Sequence, residues 1–101
     1  MVGKVYEVVW TNRSKKNLKQ VFDYISKDSP KNADRVVDGI SNAVYKAVKN
    51  PEVYAPDKYK INNDGSYRAF EKHRYRVAYR FTKNIIRVLR IRHTSLEPLE
   101  Y

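Results

Sequence analysis

The chain has 101 residues, which is enough for one small domain but not for two domains that each have a core. Its 21 basic and 11 acidic residues give a formal net charge of +10, so nucleic acid, an acidic protein or another anionic surface is the expected kind of partner. There is no cysteine, which excludes disulfides, zinc-thiolate sites and thiol nucleophiles. No apolar run is long enough to span a membrane, so we predict a soluble, cytoplasmic protein with a single domain over residues 1–101.

The first half of the chain predicts one strand followed by a pair of helices. Residues 4–10 are rich in valine and aromatic residues, which is typical of a strand. A helix then begins at Thr11 or at the residue after it, and its apolar residues recur with the period of an amphipathic helix. A second helix begins with Ser29 as its cap and Pro30 in its first position, and it ends before Pro51. The short link between the helices predicts an antiparallel hairpin.

The second half predicts three strands. Residues 51–66 contain two prolines and an Asn-Asn-Asp-Gly segment, which indicates a loop. From Tyr67 the pattern alternates every two residues, and Lys83-Asn84 fits a tight turn. The last strand, residues 85–92, is apolar on both faces, as expected for a central strand. We assign its apolar residues to two faces, one with Ile86 and Val88 and the other with Ile85, Leu89 and Ile91.

These elements predict an α+β fold with the order β-α-α-β-β-β. The apolar side of the helical hairpin has to be buried against another element, and the strands supply the only available face. We therefore expect the hairpin to pack on a small, mostly antiparallel sheet.

The excess positive charge lies in the strands. Residues 68–92 carry nine basic residues against one acidic residue, and seven of the nine are arginine. Arginine binds phosphate or carboxylate with paired hydrogen bonds, whereas helix lysines mostly keep a surface hydrated. Strand alternation places Arg74, Arg76 and Arg80 on one face, and Arg90 and Arg92 join them from the next strand. A solvated sheet face is the ordinary alternative, but like charges opposed across strands destabilise a sheet, so this cluster predicts an anionic partner.

Tyrosine and histidine supply the other candidates for chemistry. Tyr75 and Tyr79 lie on the apolar side of their strand, and we assign them to the core. Tyr101 lies beyond the last strand, where we expect a solvent-facing phenol. His93 ends a central strand and is a better candidate than His73, which lies in a predicted turn. No metal-ligand spacing, phosphate loop or dinucleotide fingerprint occurs, so we predict neither a metal nor a cofactor.

Two segments carry a family resemblance. W-T-N-R-S-K-K-N-L-K-Q-V-F-D-Y-I and D-S-P-K-N-A-D-R-V-V-D-G-I are similar to a long helical hairpin, and Y-R-A-F, Y-R-V-A-Y-R-F and I-I-R-V-L-R-I-R-H are similar to a strand signature. Together they resemble the RelE/ParE toxins of bacterial type II toxin-antitoxin systems over nearly the whole chain. The resemblance implies a β-α-α-β-β-β toxin that forms a hetero-oligomer with a co-expressed acidic antitoxin.

The resemblance leaves two targets open. RelE-like members cleave mRNA on the ribosome, whereas ParE-like members inhibit DNA gyrase. We expect ribosome-dependent mRNA cleavage, because the C-terminal tail supplies a tyrosine beside histidine and arginine, although the long helices favour the ParE branch. A basic nucleic-acid-binding module without enzymatic activity is a third hypothesis, which the strand arginines support equally.

The resemblance also implies site residues, because family nucleases cleave RNA without a metal. The matching positions are Arg68 and Arg76 for phosphate stabilisation, His93 as acid or base, and Tyr101 for a second proton transfer or for stacking. The further nucleic-acid contacts that we expect are Lys58, Lys60, Arg74, Arg80, Arg90 and Arg92.

Overall fold

The computed structural model describes residues 6–101 and confirms the predicted fold class and element order. Val5 and the residue before it, which belong to the predicted first strand, lie outside the described residues. None of the helices within residues 6–101 is long and apolar enough to cross a membrane. The elements are β1 (Glu7–Trp10), α1 (Asn12–Ser26), α2 (Pro30–Lys49), β2 (Tyr67–Lys72), β3 (Tyr75–Thr82) and β4 (Ile85–His93), followed by a 3-10 turn at Thr94–Leu96.

Both helices begin at the predicted caps. The Thr11 hydroxyl oxygen accepts a hydrogen bond from the Ser14 amide at 3.2 Å, and the Ser29 oxygen accepts one from the Asn32 amide at 3.1 Å. Pro30 occupies the first turn of α2, where the amide hydrogen that it lacks would have no helical partner. The caps satisfy backbone groups that the helices leave unpaired, which explains why these residues start them.

The four strands form one sheet in the order β1-β4-β3-β2. β1 runs parallel to β4, and the other neighbours are antiparallel. β4 is therefore an interior strand, as its two apolar faces predicted. The helices cover one face of the sheet, where Ile40 and Val44 of α2 share the core with Val77 and Tyr79 of β3. We call this the helix face and the opposite one the outer face.

A β-bulge interrupts β4. Ala78 and Tyr79, which are consecutive in β3, pair with Arg90 and Val88 of β4, so Leu89 between them has no partner on β3. An extra residue in a strand reverses the alternation of its side chains beyond that point. The first part of β4 and the last part therefore follow opposite alternation.

The bulge corrects one prediction. Ile91 pairs with Val77 and is 3% exposed, so it shares the helix face with Ile86 and Val88. Our assignment of Ile91 to the face of Ile85 and Leu89 is wrong, because a regular alternation cannot anticipate an inserted residue. The same bulge turns the two arginines that flank Ile91 toward the outer face.

Tyr79 connects the centre of the sheet to the end of α2. Its side chain is fully buried, and its hydroxyl donates a 2.6 Å hydrogen bond to the Pro51 carbonyl. We expect Tyr79→Phe to lower the free energy of unfolding by about 1–3 kcal/mol, because the carbonyl would be left buried without a donor. Urea denaturation with an unchanged m-value measures this loss.

Tyr45→Phe is the matched control for that variant. Tyr45 lies on α2 and is 54% exposed, so removal of its hydroxyl should change the unfolding free energy by less than about 0.5 kcal/mol. Equal effects of the two variants would contradict the importance of the bond to Pro51.

Candidate nucleic-acid interface

Arginines of β3 and β4 lie side by side on the outer face of the sheet. Arg76 lies opposite Arg92, and Arg80 lies opposite Arg87, while Arg90 lies opposite Ala78. This placement confirms that Arg76, Arg80, Arg90 and Arg92 share one face of the sheet. Such a row of like charges needs acidic partners or an anionic ligand.

Arg74 is not part of this row. β3 begins at Tyr75, and Arg74 lies in the preceding turn with a φ of 70°, next to His73 with a φ of 52°. The predicted alignment of Arg74 with the strand arginines is therefore wrong, because β3 begins one residue later than the alternation of charged residues suggests. The side chain is exposed, and among residues 6–101 it has no ion-pair partner.

A buried carboxylate, Asp57, neutralises Arg76. Asp57 lies in the loop before β2 and is 2% exposed, and its Oδ1 lies 2.8 Å from Nη2 of Arg76. The second carboxylate oxygen accepts a 2.8 Å hydrogen bond from the Tyr101 hydroxyl, and the Tyr59 amide donates to Oδ1 at 3.0 Å. Nη1 of Arg76 bonds to Glu71 at 3.2 Å. Arg76 is thus already engaged by two carboxylates of this chain.

Burial and hydrogen bonding set the protonation of this network. Burial alone would raise the pKa of the Asp57 carboxyl, but hydrogen bonds from Arg76, Tyr59 and Tyr101, together with the guanidinium charge, hold it below its usual value. Burial raises the pKa of the Tyr101 hydroxyl, and the bond to Asp57 raises it further. At neutral pH the pair is therefore a carboxylate and a neutral phenol.

Tyr101 is not solvent-facing, which corrects our expectation. Besides the bond to Asp57, its amide donates to the Tyr59 carbonyl at 3.0 Å, and its carbonyl accepts from the Ile61 amide at 2.6 Å. The half-buried ring lies 4.1 Å from the guanidinium carbon of Arg90. These contacts hold the tail against the loop before β2. The residues that make them are far apart in the chain, so the periodicity of the sequence could not predict them.

A pocket of about 410 Å³ opens beside Tyr101. Arg90 forms part of its wall and is 7% exposed, with Nη2 donating to the Leu99 carbonyl at 2.8 Å. The Lys60 ammonium lies 4.7 Å from the ring centre of Tyr67 and 5.4 Å from that of Tyr101. No aspartate or glutamate among residues 6–101 lines the pocket. We call it the tyrosine pocket, and its lining residues are Thr11, Arg13, Lys60, Tyr67, Leu89, Arg90 and Tyr101.

The structure separates the four residues to which we assigned catalysis. Arg76 and Tyr101 meet through Asp57 on the outer face, whereas Arg68 pairs with Tyr79 and His93 pairs with Tyr75, both on the helix face. Within residues 6–101, no hydrogen bond, ion pair or ring contact joins Arg68 or His93 to the tyrosine pocket. The four residues therefore do not form one site.

Arg68 and His93 both have structural partners. Arg68 donates to the carbonyls of Gly65 at 2.8 Å and Tyr54 at 3.1 Å. Nδ1 of His93 accepts the Ser95 amide at 3.1 Å and so caps the 3-10 turn, with its ring against the edge of Tyr75. Their catalytic roles stay predictions.

The remaining predicted contacts have different surroundings. Lys58 is exposed, with its ammonium 5.2 Å from the Tyr59 ring. Arg80 donates to Ser66 at 3.1 Å. Arg92 is paired with Glu97 at 3.1 Å. Of the six predicted nucleic-acid contacts, only Lys60 and Arg90 line the tyrosine pocket.

Several important residues carried no signal in the sequence. Asp57 lies in a loop without a motif, and Arg13 lies on α1, far along the chain from the other lining residues. Tyr67 was assigned only to the start of a strand. The tertiary fold decides which residues line the pocket, and the local spacing of residues in the sequence cannot predict it. Among residues 6–101, no three histidine, cysteine or acidic side chains converge on a metal-binding arrangement.

Comparison with known proteins gives one family. Residues 8–97 match the family described as the ParE toxin of the type II toxin-antitoxin system parDE. No curated protein sequence matches the chain.

Solved structures with a similar fold include two from toxin-antitoxin systems. One is from the chromosomal ParDE system of P. aeruginosa, with 20% sequence identity, a TM-score of 0.69, and coverage of 88% of this chain and 96% of that chain. Another is from the RelBE2 toxin-antitoxin complex of Mycobacterium tuberculosis, with 14% identity, a TM-score of 0.63, and coverage of 89% and 92%. At these low sequence identities, the structural similarity shows that this chain shares the fold of the two proteins.

Proposed function

The chain belongs to the ParE toxin family of type II toxin-antitoxin systems, and on that premise we propose that it arrests growth by cleaving mRNA on the ribosome. The observation that carries the proposal is the tyrosine pocket, in which three cationic side chains and two tyrosine rings converge, with no aspartate or glutamate of residues 6–101 in the lining. Cations bind phosphate, and tyrosine rings stack on unpaired bases. That combination suits a single RNA strand.

The pocket provides charge stabilisation for RNA cleavage. When a 2′-hydroxyl attacks the neighbouring phosphate, negative charge grows on the phosphate oxygens, and a fixed cation lowers the barrier most when it need not move. Arg90 meets this condition, because the Leu99 carbonyl and the Tyr101 ring hold its guanidinium in place. Arg13 and Lys60 add two further positive charges.

Cleavage also needs two proton transfers, and in this proposal Tyr101 supplies neither of them but stacks on a base, because its phenol donates its hydrogen to Asp57. The attacking 2′-hydroxyl must lose a proton, and the 5′-oxygen that leaves must gain one. Asp57 holds the Tyr101 phenol in a fixed orientation, and the raised pKa keeps that phenol protonated. In this proposal Arg76 is a positioning residue that holds Asp57, and it does not contact the phosphate.

We also propose that an acidic antitoxin neutralises this chain in a hetero-oligomer. The net charge of +10 favours an acidic partner. The similar structures come from a ParDE system and a RelBE2 complex, which are assemblies of a toxin with an antitoxin.

DNA gyrase inhibition is the second candidate function. It is favoured by the family match, which is to ParE toxins and covers residues 8–97. In that case the toxin acts by binding gyrase and needs no catalytic arginine. The ion pairs of Arg76 with Asp57 and Glu71 would then not reduce its activity.

Brief induction of the toxin without antitoxin distinguishes the candidates. We expect methionine incorporation to collapse before thymidine incorporation, because cleavage of mRNA stops translation directly. An earlier fall in thymidine incorporation would instead favour gyrase. If neither changes, the chain is inactive or acts only as a nucleic-acid-binding module, and the toxin activity loses its support.

Variants of the pocket test the site itself. Lys60→Gln removes one pocket cation, and we expect mRNA cleavage with purified ribosomes to fall about 100-fold. Arg87→Gln is the matched control, because Arg87 is exposed on the same face but lies outside the pocket. Equal activity of the two variants would remove the tyrosine pocket from the mechanism.

A further inference from the structure

A second basic surface lies at the other end of the sheet from the β3–β4 turn, between α2 and the turn that joins β2 to β3. The cleft there has a volume of about 700 Å³. Its walls are the first half of α2 on one side and Lys72 with His73 on the other. We call it the polar cleft, and its lining residues are Ser29, Lys31, Asn32, Arg35, Asp38, Gly39, Asn42, Lys72 and His73.

The charges of the polar cleft are largely unpaired. Lys31 and Lys72 are exposed, and within residues 6–101 neither has an ion-pair partner. Among the described residues, the Arg35 side chain donates only to the Asn32 side chain, at 2.8 Å. Within residues 6–101, Asp38 is the one carboxylate that lines the cleft, beside the three cations of Lys31, Arg35 and Lys72. Arg74 adds a further unpaired cation to the same turn.

The lining also decides what kind of anion fits. Every lining residue is charged, polar or glycine, so the apolar surface of the cleft consists of the aliphatic stems of polar side chains. A peptide segment or a lipid normally gains affinity by burying apolar side chains or acyl chains against apolar residues, and none of the residues that line this cleft is apolar. Phosphate groups need only cations and hydrogen-bond donors, which Ser29, Asn32 and Asn42 supply beside the lysines and Arg35.

The turn lies close to α2 at Gly39. A Cβ atom at this position would lie 2.6 Å from Nε2 of His73, so only glycine lets the imidazole lie there. His73 and Arg74 both have positive φ values, which side chains larger than glycine adopt at a cost. Positive φ at both central residues is the usual geometry of a two-residue β-hairpin turn, here between Lys72 and Tyr75.

We propose that the polar cleft binds the phosphate backbone of structured RNA. This inference rests on the proposed function, because a toxin that cuts mRNA on the ribosome must dock on a particle whose surface is rich in folded RNA. The polar cleft is built on α2, on the helix side of the sheet, whereas the tyrosine pocket opens on the outer face. One chain can therefore hold a single strand in the pocket and a folded RNA in the cleft at the same time.

The test measures binding of the purified full-length chain to a short, labelled RNA duplex over a range of salt concentrations, about 50 to 200 mM. The variant carries Lys31→Gln together with Lys72→Gln. We expect its affinity at low salt to fall at least about tenfold and its log–log salt slope to fall by about 1 to 2, since two phosphate contacts are lost.

A matched control separates the cleft from net charge. Lys15→Gln together with Lys16→Gln removes the same charge from exposed positions of α1. We expect this pair to retain most of the affinity. Equal losses in both pairs, or no loss in the cleft pair, would overturn the proposal. Displacement of the RNA by low-millimolar inorganic phosphate would also overturn it, because the ligand would then be a small phosphate.

Removal of a negative charge from the polar cleft should raise its affinity for RNA, which provides a further test. Asp38→Asn removes the lone carboxylate of the cleft, so we expect RNA affinity to rise about two- to fivefold. An unchanged or weaker affinity would contradict the cleft as the site. The RNA-binding assay contains neither ribosome nor gyrase, so its result does not depend on which of them the toxin inhibits. The polar cleft could therefore bind RNA even if the incorporation test favours gyrase, and a failure of one proposal can be distinguished from a failure of the other.

Discussion

Asp57→Ala is expected to lower the free energy of unfolding by about 3–5 kcal/mol, a large part of the stability of a domain of this size. The substitution leaves the Arg76 guanidinium buried, with Glu71 as its remaining carboxylate. The Tyr101 hydroxyl and the Tyr59 amide lose their acceptor at the same time. Urea denaturation followed by circular dichroism measures the loss.

Two variants bracket this effect. Asp57→Asn keeps the volume and one acceptor oxygen but loses the charge, so its loss should be smaller than that of Asp57→Ala. Asp28→Ala removes an exposed carboxylate that has no side-chain partner among the described residues, and it should change stability by less than about 0.5 kcal/mol. If Asp57→Ala is no worse than Asp28→Ala, the network around Asp57 does not stabilise the fold.

The same network makes stability depend on pH. The pKa of Asp57 is lower in the folded chain than its ordinary value of 3.8, so the folded state binds a proton less readily than the unfolded state. The resulting stabilisation is fully present above the unfolded pKa and is lost as the pH falls through the folded pKa. We expect the stability difference between the native chain and Asp57→Asn to shrink in that acid range.

Ile40→Ala is expected to destabilise the fold by about 2–5 kcal/mol. Ile40 is fully buried and belongs to the core between α2 and the sheet, so its truncation leaves a cavity that rigid neighbours fill only in part. Thermal and urea unfolding both measure the loss. The effect should fall on the stability of the whole domain, because Ile40 shares one core with residues of α1 and of the sheet.

Ile40→Val is the graded control for the core. It removes a single methylene group, and we expect a loss of about 0.5–1.5 kcal/mol. Similar losses for valine and alanine would mean that the site collapses around the smaller residue and that packing at this position is loose.

The sequence predicts local features of this fold well. Thr11 and Ser29 are recognisable caps because capping is a short-range hydrogen bond, and the apolar period of each helix identifies its buried side. The two apolar faces of residues 85–92 correctly indicate an interior strand. In each case the physical cause lies within a few residues of the effect.

The site depends on contacts that the sequence does not display. Tyr101 and Asp57 are 44 residues apart, and nothing in either segment shows that they meet. The bulge at Leu89 decides which way Arg90 points, and a regular alternation cannot reveal it. Residue type predicted Lys60 and Arg90 as anion contacts, but only the tertiary fold places them in one pocket.

The parallel pairing of β1 with β4 has a consequence for the synthesis of the chain. Glu7 pairs with Ile85, so β1 can pair with β4 only after most of the polypeptide has been synthesised. The tyrosine pocket takes residues from α1, from the loop before β2 and from position 101. A nascent chain can therefore form its helices early, but the tyrosine pocket is assembled only after Tyr101 has been added.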